Sequence, residues 1–185
     1  MKYRVKIILI IFLATAFISS IKVSVVSKNF LNIKIKTNID EIEFKQIIKN
    51  NNALYCNQTL GKYNITIPVK EFIAPNKMIY DDFVEMLKGN EYPNISIYIS
   101  KSILNFDTNR DTVIYPEMTI NLAGVSKVDK TLCHVKKISS DSCYIYGEKK
   151  LLFTDFNLLP PTKLFGLVKV SNDINVKFGF IFVKN

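Results

Sequence analysis

The chain has 185 residues, of which 48% are apolar and 12% are aromatic, and its formal net charge is +9. This length suits one ordinary domain rather than two, and the apolar content suffices for a sizeable core. The 25 lysines and arginines are scattered along the chain, whereas nucleic-acid-binding proteins typically carry a basic stripe with interleaved aromatic residues. The composition therefore argues against a nucleic-acid partner, and it leaves weak attraction to an anionic membrane surface open.

The first 20 residues have the organisation of a secretory signal peptide. Lys2, Arg4 and Lys6 precede a mostly apolar run of 12 residues, 7–18, which ends near small residues. The run is shorter than the roughly 20 residues that span a bilayer, so a cleaved signal is favoured over a retained anchor. Cleavage would remove three of 25 basic residues and none of 16 acidic ones, leaving a charge of +6. We expect a signal peptide over 1–20, a mature domain over 21–185, and a periplasmic or secreted location.

Strand-like alternation recurs along the mature chain. Apolar residues occupy alternate positions in segments 31–35, 65–69, 95–99, 118–122 and 174–182, and shorter segments of this kind lie at 42–44, 132–137, 142–146, 151–153 and 166–170. Period-two alternation is typical of strands with one buried face. The pattern predicts an all-β barrel or sandwich with about eight strands or more, and a closed barrel would direct every apolar face into one interior.

One segment has helical rather than strand-like spacing. Within residues 78–88, apolar side chains recur at spacings of four and three, which places Phe83 and Leu87 on one helix face. Asn76 is suited to the N-cap, and Gly89 is suited to a C-terminal stop. We expect a short helix near one end of the barrel, with Phe83 and Leu87 acting as a lid.

The three cysteines are Cys56, Cys133 and Cys143. An exported chain resides where disulfides can form. A two-residue turn between the last two cysteines, however, would place Cys143 opposite Lys136 and Cys133 opposite Tyr146, and this register disfavours a bridge. We expect mostly free, buried thiols.

The residues that catalysis or metal binding would need are scarce. His134 is the single histidine, whereas a catalytic zinc site usually takes three protein ligands, with histidine prominent among them. The sequence contains no Gly-x-Ser-x-Gly elbow, no phosphate-binding glycine loop and no dinucleotide fingerprint. Asp155, close to two phenylalanines, is expected to accept hydrogen bonds from backbone amides. These features argue against an enzyme and predict neither a metal nor a conventional cofactor.

Several short stretches of the chain form a recognisable series. They are Ile-Pro-Val-Lys-Glu-Phe at 67–72, Tyr-Pro-Asn-Ile at 92–95, Leu-Ala-Gly-Val-Ser-Lys at 122–127, Leu-Phe-Thr-Asp-Phe at 152–156, Pro-Pro at 160–161 and Phe-Gly-Leu-Val-Lys-Val at 165–170. In their order and spacing, these stretches resemble the YceI-like family of bacterial polyisoprenoid-binding proteins. The chain departs from the family pattern in having Ser126 where Thr is usual and no proline after Lys127.

The resemblance implies an eight-stranded antiparallel, lipocalin-like barrel that is exported to the periplasm, holds a polyisoprenoid inside and has no catalytic residues. Our leading hypothesis is therefore a binding protein for a polyisoprenoid, a quinone or a similar lipid. The residues expected to line the barrel are Ile33, Ile97, Ile99, Ile120, Leu122, Val176, Phe178 and Phe180. Peripheral membrane contact and dimerisation stay open.

A second hypothesis is a non-enzymatic stress-response or interaction module whose barrel is filled by side chains. Such a protein would act through its outer surface, where aromatic residues such as Tyr98 and Tyr144 could form a partner patch. The two hypotheses differ in whether the apolar stripes leave space between them, which sequence spacing alone does not decide.

Overall fold

The computed structural model describes residues 29–47, 54–55, 61–104 and 112–183. The strands are β1 (Phe30–Thr37), β2 (Glu41–Ile47), β3 (Leu54–Tyr55), β4 (Lys62–Pro68), β5 (Asn94–Ser100), β6 (Thr112–Ile114), β7 (Glu117–Leu122), β8 (Val125–Lys130), β9 (Cys133–Lys137), β10 (Ser142–Leu152), β11 (Thr162–Lys163) and β12 (Val168–Val183), and helix α1 spans Lys77–Met86. Short 3-10 segments are Val69–Glu71, Lys101–Leu104, Phe153–Phe156 and Leu164–Gly166. The predicted signal peptide and Cys56 lie outside the described residues. In the part that is described, we find no helix with the length and apolar character needed to cross a membrane.

The strands form two sheets. One has the order β2-β1-β12-β10-β9-β6, with β3 and β11 also paired to β12, and the other has the order β4-β5-β7-β8. Among the described strands, the pairings are antiparallel apart from the parallel pairing of β3 with β12. The all-β prediction is confirmed. The expected single closed barrel of eight strands is not seen, because the backbone ladders of these ranges divide into two separate sheets.

The alternating segments become the facing surfaces of the two sheets. In the first sheet, Leu31 and Ile35 of β1 are 2% exposed, and they lie opposite Phe178 and Ile174 of β12. In the second sheet, the even-numbered residues of β7 are similarly buried. Side chains two residues apart share a face of a strand, so each row meets the row of the other sheet. This packing produces the core.

Helix α1 covers the end of the second sheet where β4 finishes and β5 begins. It nearly coincides with the predicted 78–88, and the Asn76 side chain accepts a 2.9 Å hydrogen bond from an amide of the first turn. The left-handed residue after the helix is Lys88, with φ of 52°, rather than Gly89. Gly89 instead permits close packing, because a Cβ there would lie 2.7 Å from Cγ1 of Val69.

The helix also joins the second sheet to strand β2 of the first. Phe83 is 1% exposed, and its ring stacks on Phe44 of β2 with 4.0 Å between centroids. Beside this contact, the amide of Lys45 donates to the carbonyl of Ile73 at 3.0 Å, and the reverse bond measures 2.7 Å. One seam between the sheets is therefore held by aromatic packing and an isolated backbone bridge.

The other seam, between β8 and β10, is held by charged side chains. Strand β10 pairs with β9 only over residues 143–147, which leaves its last residues beside β8. The Lys149 ammonium lies 2.8 Å from the Asp129 carboxylate and donates to the carbonyl of Lys130 at 2.9 Å. Lys127 of β8 pairs with Asp155 at 2.5 Å. These bonds occupy the position where a closed barrel would have a backbone ladder.

The β9–β10 hairpin differs from the predicted register. Cys143 lies opposite Lys137, and Cys133 lies opposite Gly147, because residues 138–141 form a longer connection than the two-residue turn that the sequence suggested. The predicted pairings were therefore wrong by one position. Both thiols are nevertheless free and buried, as expected.

The Phe83 contact is tested by truncation. We expect Phe83→Ala to lower the free energy of unfolding by about 3 to 5 kcal/mol, because it removes a buried ring and leaves a cavity between α1 and β2. Urea denaturation followed by circular dichroism measures the loss. The control is Met78→Ala on the same helix, where the side chain is 70% exposed and about 0.5 kcal/mol or less is expected. Equal effects from the two variants would contradict the packing described.

The ion pairs at the β8–β10 seam should make the stability of the fold sensitive to acid. A hydrogen bond from Lys149 lowers the pKa of Asp129 from its ordinary 3.8, and Lys127 lowers the pKa of Asp155 in the same way. Because both pKa values are lower in the folded state, the stabilisation is present above about pH 4 and is lost as the pH falls through the folded values. We expect the urea concentration at the unfolding midpoint to decrease as the pH is lowered below 4. This decrease should be smaller in the Asp129→Asn variant than in wild type.

The matched control for this measurement is Glu117→Gln, which changes an exposed carboxylate on β7. This variant should retain the full decline of the wild-type protein. The same pH dependence in wild type and Asp129→Asn would show that the seam does not depend on this ion pair.

Candidate functional site

A void of about 60 Å³ lies between the two sheets. Its walls come from β1, β10 and β12 on one side and from β4, β5 and β7 on the other, with further contributions from the helix end and the segments that follow β8 and β10. The wall is almost entirely apolar. The facing rows therefore fill most, but not all, of the space that they enclose, whereas protein interiors are normally close-packed.

The structure places all eight residues predicted to line the interior around this void. They are Ile33, Val176, Phe178 and Phe180 in the first sheet and Ile97, Ile99, Ile120 and Leu122 in the second. Strand alternation brings them together, since each belongs to the inward row of its strand. Other positions of the same rows, such as Leu31 and Met118, line the void as well.

The two residues predicted to form a lid line two different cavities. Leu87 is 2% exposed and reaches the void from the end of α1. Phe83 instead lines a second cavity, which we call the helix-end groove, and it packs against Phe44 there. The helix thus covers one end of the space between the sheets through Leu87, while Phe83 faces the groove.

The helix-end groove has a volume of about 490 Å³ and lies between α1, the β1–β2 connection and the start of β12. Ile35 lines both the groove and the void. An ion pair of 2.8 Å between Lys163 of β11 and Asp82 of α1 lies along the groove. The rim of the groove is apolar and open to solvent, since Ile39 is 72% exposed and Met78 is 70% exposed.

Two polar residues also line the void, and the sequence analysis missed both. Lys149 belongs to the same inward row of β10 as Ile145 and Leu151. The sequence offered one signal for Lys149: the predicted segment 142–146 and residues 151–152 belong to one continuous strand, β10, and residue 149 lies on its odd-numbered face. Thr131 follows the last residue of β8, and no local pattern distinguishes it.

The side chains that were considered for catalysis make contacts that suit a structural role. His134 is exposed and stacks on Tyr146 with 5.3 Å between centroids. Burial raises the pKa of Cys133 to about 12 and that of Cys143 to about 11, so neither thiol is a thiolate near neutral pH. Asp155 accepts a 3.2 Å hydrogen bond from the amide of Leu152, which is the kind of backbone contact predicted for it. Across the described ranges, no group of three or more His, Cys, Asp and Glu side chains could hold a metal ion.

The aromatic partner patch suggested by the sequence does not form as described. Tyr144 is only 7% exposed, because its ring lies against the backbone of Gly179 and beside Phe30 on the outer face of the first sheet. It stacks on Tyr146, with 5.4 Å between centroids. Tyr98 is half-buried on the other sheet. The expectation that Tyr144 is exposed was therefore wrong.

Comparisons with known proteins identify the fold. No family model and no curated protein matches this chain. A polyisoprenoid binding domain from Saccharophagus degradans aligns over 85% of this chain and 94% of its own, with a TM-score of 0.61 and 12% identity. Burkholderia cenocepacia BcnA aligns over 83% and 95%, with a TM-score of 0.60 and 14% identity. A Campylobacter jejuni YCEI protein aligns over 67% and 72%, with a TM-score of 0.52 and 18% identity. The chain therefore shares the fold of these proteins, which confirms the predicted resemblance at the level of fold.

Proposed function

We propose that this chain is an exported, non-enzymatic carrier that holds a polyisoprenoid, an isoprenoid quinone or a similar long apolar molecule between its two sheets. The observation that carries the proposal is the void between two apolar sheet faces, lined by the eight side chains named above. The shared fold with a polyisoprenoid binding domain supports it. The ligand would be the only non-protein component required.

The energetics favour an apolar guest. Each methylene transferred from water into the interior contributes about 0.8 kcal/mol. Empty space of this kind costs about 24 cal/mol per Å³, so the void of about 60 Å³ corresponds to about 1.5 kcal/mol of stability that a guest would restore. A hydrocarbon chain gains from both effects, whereas a strongly polar molecule would lose its hydration without finding partners in this wall.

A long chain needs more room than the void offers, so we propose that the sheets separate during loading. The β8–β10 seam is held by side-chain bonds, and the β2 seam is held by the Phe44–Phe83 stack and one isolated backbone bridge. The sheets can therefore move apart without breaking the backbone ladder within either sheet. The helix-end groove meets the void at Ile35 and supplies a further 490 Å³ or so for a chain that extends outward. In this view the two sheets act together as a barrel with two weak seams.

The small volume of the void favours a second candidate, an interaction module with a nearly filled interior. Such a module would use exposed apolar side chains as its contact surface. Phe165 is fully exposed and Leu167 is 73% exposed, and both precede β12 near the helix-end groove. This second candidate function predicts that the purified protein contains no bound lipid.

Extraction of native protein separates the two candidates. The full chain, including the predicted signal peptide over residues 1–20, is expressed, purified from the exported fraction without detergent, extracted with organic solvent and analysed by mass spectrometry. The carrier proposal predicts a co-purifying isoprenoid or other long-chain lipid, and uptake of an added isoprenoid quinone by the extracted protein. Protein that lacks lipid and also fails to take up quinone would contradict the proposal.

Filling the void should block loading. We expect Ile120→Phe to reduce the amount of bound lipid severalfold, because the added ring occupies space between the sheets. The control is Val128→Phe on the neighbouring strand β8, where the side chain is 56% exposed on the outer face. Bound lipid per protein, measured by extraction and mass spectrometry, should be unchanged in the control. Unchanged lipid in Ile120→Phe, with the fold retained by circular dichroism, would place the ligand elsewhere.

A further inference from the structure

The most exposed apolar side chains of the protein lie around the helix-end groove. Among the described residues, five large apolar side chains are at least 70% exposed, and no other exceeds 64%. We call these five the apolar rim, and they are Ile39, Met78, Leu159, Phe165 and Leu167. Single exposed apolar side chains are common on protein surfaces, whereas a group of them around one cavity marks a contact site.

The segments that carry the rim are joined to one another beside the groove. The side-chain amide of Asn38 donates to the carbonyl of Leu167 at 2.9 Å, and its oxygen accepts a 2.8 Å bond from the amide of Lys169. The β1–β2 connection therefore lies against the start of β12. Leu159 lines an adjoining depression, which shares Lys163 with the groove.

Phe165 lies at the tip of a hairpin. Because Lys163 of β11 pairs with Val168 of β12, residues 164–167 form the connection between these strands. The phenyl ring is fully exposed, and the backbone has the left-handed φ of 54°, which is unfavourable for a bulky residue. Packing in the core does not explain a ring at this position, whereas contact with an apolar medium outside the protein does.

Most of the acidic side chains near the rim are neutralised by lysines. In α1, Asp81 pairs with Lys77 at 2.6 Å, and Asp82 pairs with Lys163 at 2.8 Å. In the described part of the groove wall, the remaining carboxylate is that of Asp40. The negative charge that faces outward at this end is therefore small.

Two lysines beside the groove lack an acidic partner. Lys36 precedes Thr37, and Lys169 follows Val168, and both of these neighbours line the groove. Within the described ranges, neither lysine forms an ion pair. The whole chain also has 25 basic and 16 acidic residues. This excess of positive charge complements a surface of anionic lipids.

The arrangement of the rim favours a bilayer over a protein partner. The five side chains belong to four separate segments: the β1–β2 connection, α1, the segment after residue 156 and the β11–β12 connection. A fluid hydrocarbon phase accommodates a discontinuous apolar surface around an open cavity, whereas the core of a protein interface is closely packed.

We propose that the apolar rim docks on the surface of a bilayer that contains anionic lipids. Phe165 and Leu167 enter the boundary between headgroups and acyl chains, and Lys36 and Lys169 lie against lipid phosphates. The helix-end groove then opens towards the membrane, so that an apolar molecule can enter it without crossing water. The docking depends on the rim and its two lysines, and its use in loading rests on the proposed carrier function.

Co-sedimentation with lipid vesicles tests the docking. The exported protein should bind vesicles of phosphatidylethanolamine and phosphatidylglycerol, and should bind vesicles of phosphatidylcholine severalfold more weakly. Phe165→Ser combined with Leu167→Ser should lower the partition coefficient about tenfold or more, because two large apolar side chains no longer enter the bilayer. The control is Tyr115→Ser with Val128→Ser, which changes two exposed side chains that do not line the groove and should bind like wild type. Absence of binding by wild type, or equal losses in the two variants, would overturn the proposal.

Phe165→Trp reports insertion directly, because the chain contains no tryptophan. Its fluorescence emission should shift to shorter wavelength when the anionic vesicles are added, since the indole leaves water for the membrane interface. Tyr115→Trp should show no shift. Both positions are exposed, so both variants should keep the fold, which circular dichroism checks. A shift in Tyr115→Trp without one in Phe165→Trp would place the membrane contact elsewhere and overturn the proposal.

The role of the lysines is tested by charge removal. Lys36→Gln with Lys169→Gln should weaken binding to the anionic vesicles severalfold and leave binding to phosphatidylcholine unchanged. The control, Lys62→Gln with Lys101→Gln, removes the same charge from exposed positions near the start of β4 and should lose less. Equal losses would show that net charge directs binding without regard to the groove, which contradicts the proposed orientation.

The docking and the carrier function fail in different ways. Protein that contains lipid but binds no vesicles would keep the carrier function and overturn the docking. Protein that binds vesicles through the rim but never holds a lipid would keep the docking and overturn the carrier function. Analytical ultracentrifugation detects a third outcome, in which wild type self-associates, the variant at 165 and 167 is monomeric and neither binds vesicles. The rim would then be an interface between copies of the chain, and the docking would be overturned.

Discussion

The contact between the apolar faces of two β-sheets is the interaction on which the rest of this structure depends. Neither sheet is joined to the other by a continuous backbone ladder within the described ranges. The sheets are held together by the burial of alternating rows, such as Leu31 and Ile35 on one side and Ile120 on the other. Hydrophobic burial is non-directional, so it brings the faces together without requiring them to fit perfectly. The void is the place where the two sheet faces do not fit together.

The two seams complement this imperfect contact. A backbone ladder would hold the sheets at a fixed separation, whereas an ion pair such as Lys149–Asp129 or an isolated bridge such as Lys45–Ile73 limits separation less strictly. Lys149 of the same ion pair also lines the space between the sheets.

Much of the fold could be predicted because the signals are local. Period-two alternation identified the inward rows, and the cap at Asn76 together with apolar spacing identified the helix. Features that depend on distant segments could not be predicted. The register of Cys133 depends on the length of a loop, and the inward position of Lys149 emerges only when β10 is known to continue through Gly147. The burial of Tyr144 depends on a glycine in another strand.

The features of the candidate site also separate into those that the sequence predicts and those that it does not. Its apolar lining follows from alternation, which acts within each strand, and all eight expected residues line the void. The places of Thr131 and Lys149 in the wall depend on the approach of β8 to β10, two strands of different sheets. The volume of the void also depends on how two separate rows interdigitate, which is a property of the whole fold.

The most direct test of this account is a crystal structure of the protein after incubation with a long-chain isoprenoid. The account predicts continuous electron density between the two sheets, bounded by both apolar rows and reaching the helix end, with each sheet preserved. Interior side chains that interlock with no density between them, or lipid density confined to the outer surface, would contradict the claim that the facing sheets enclose a guest.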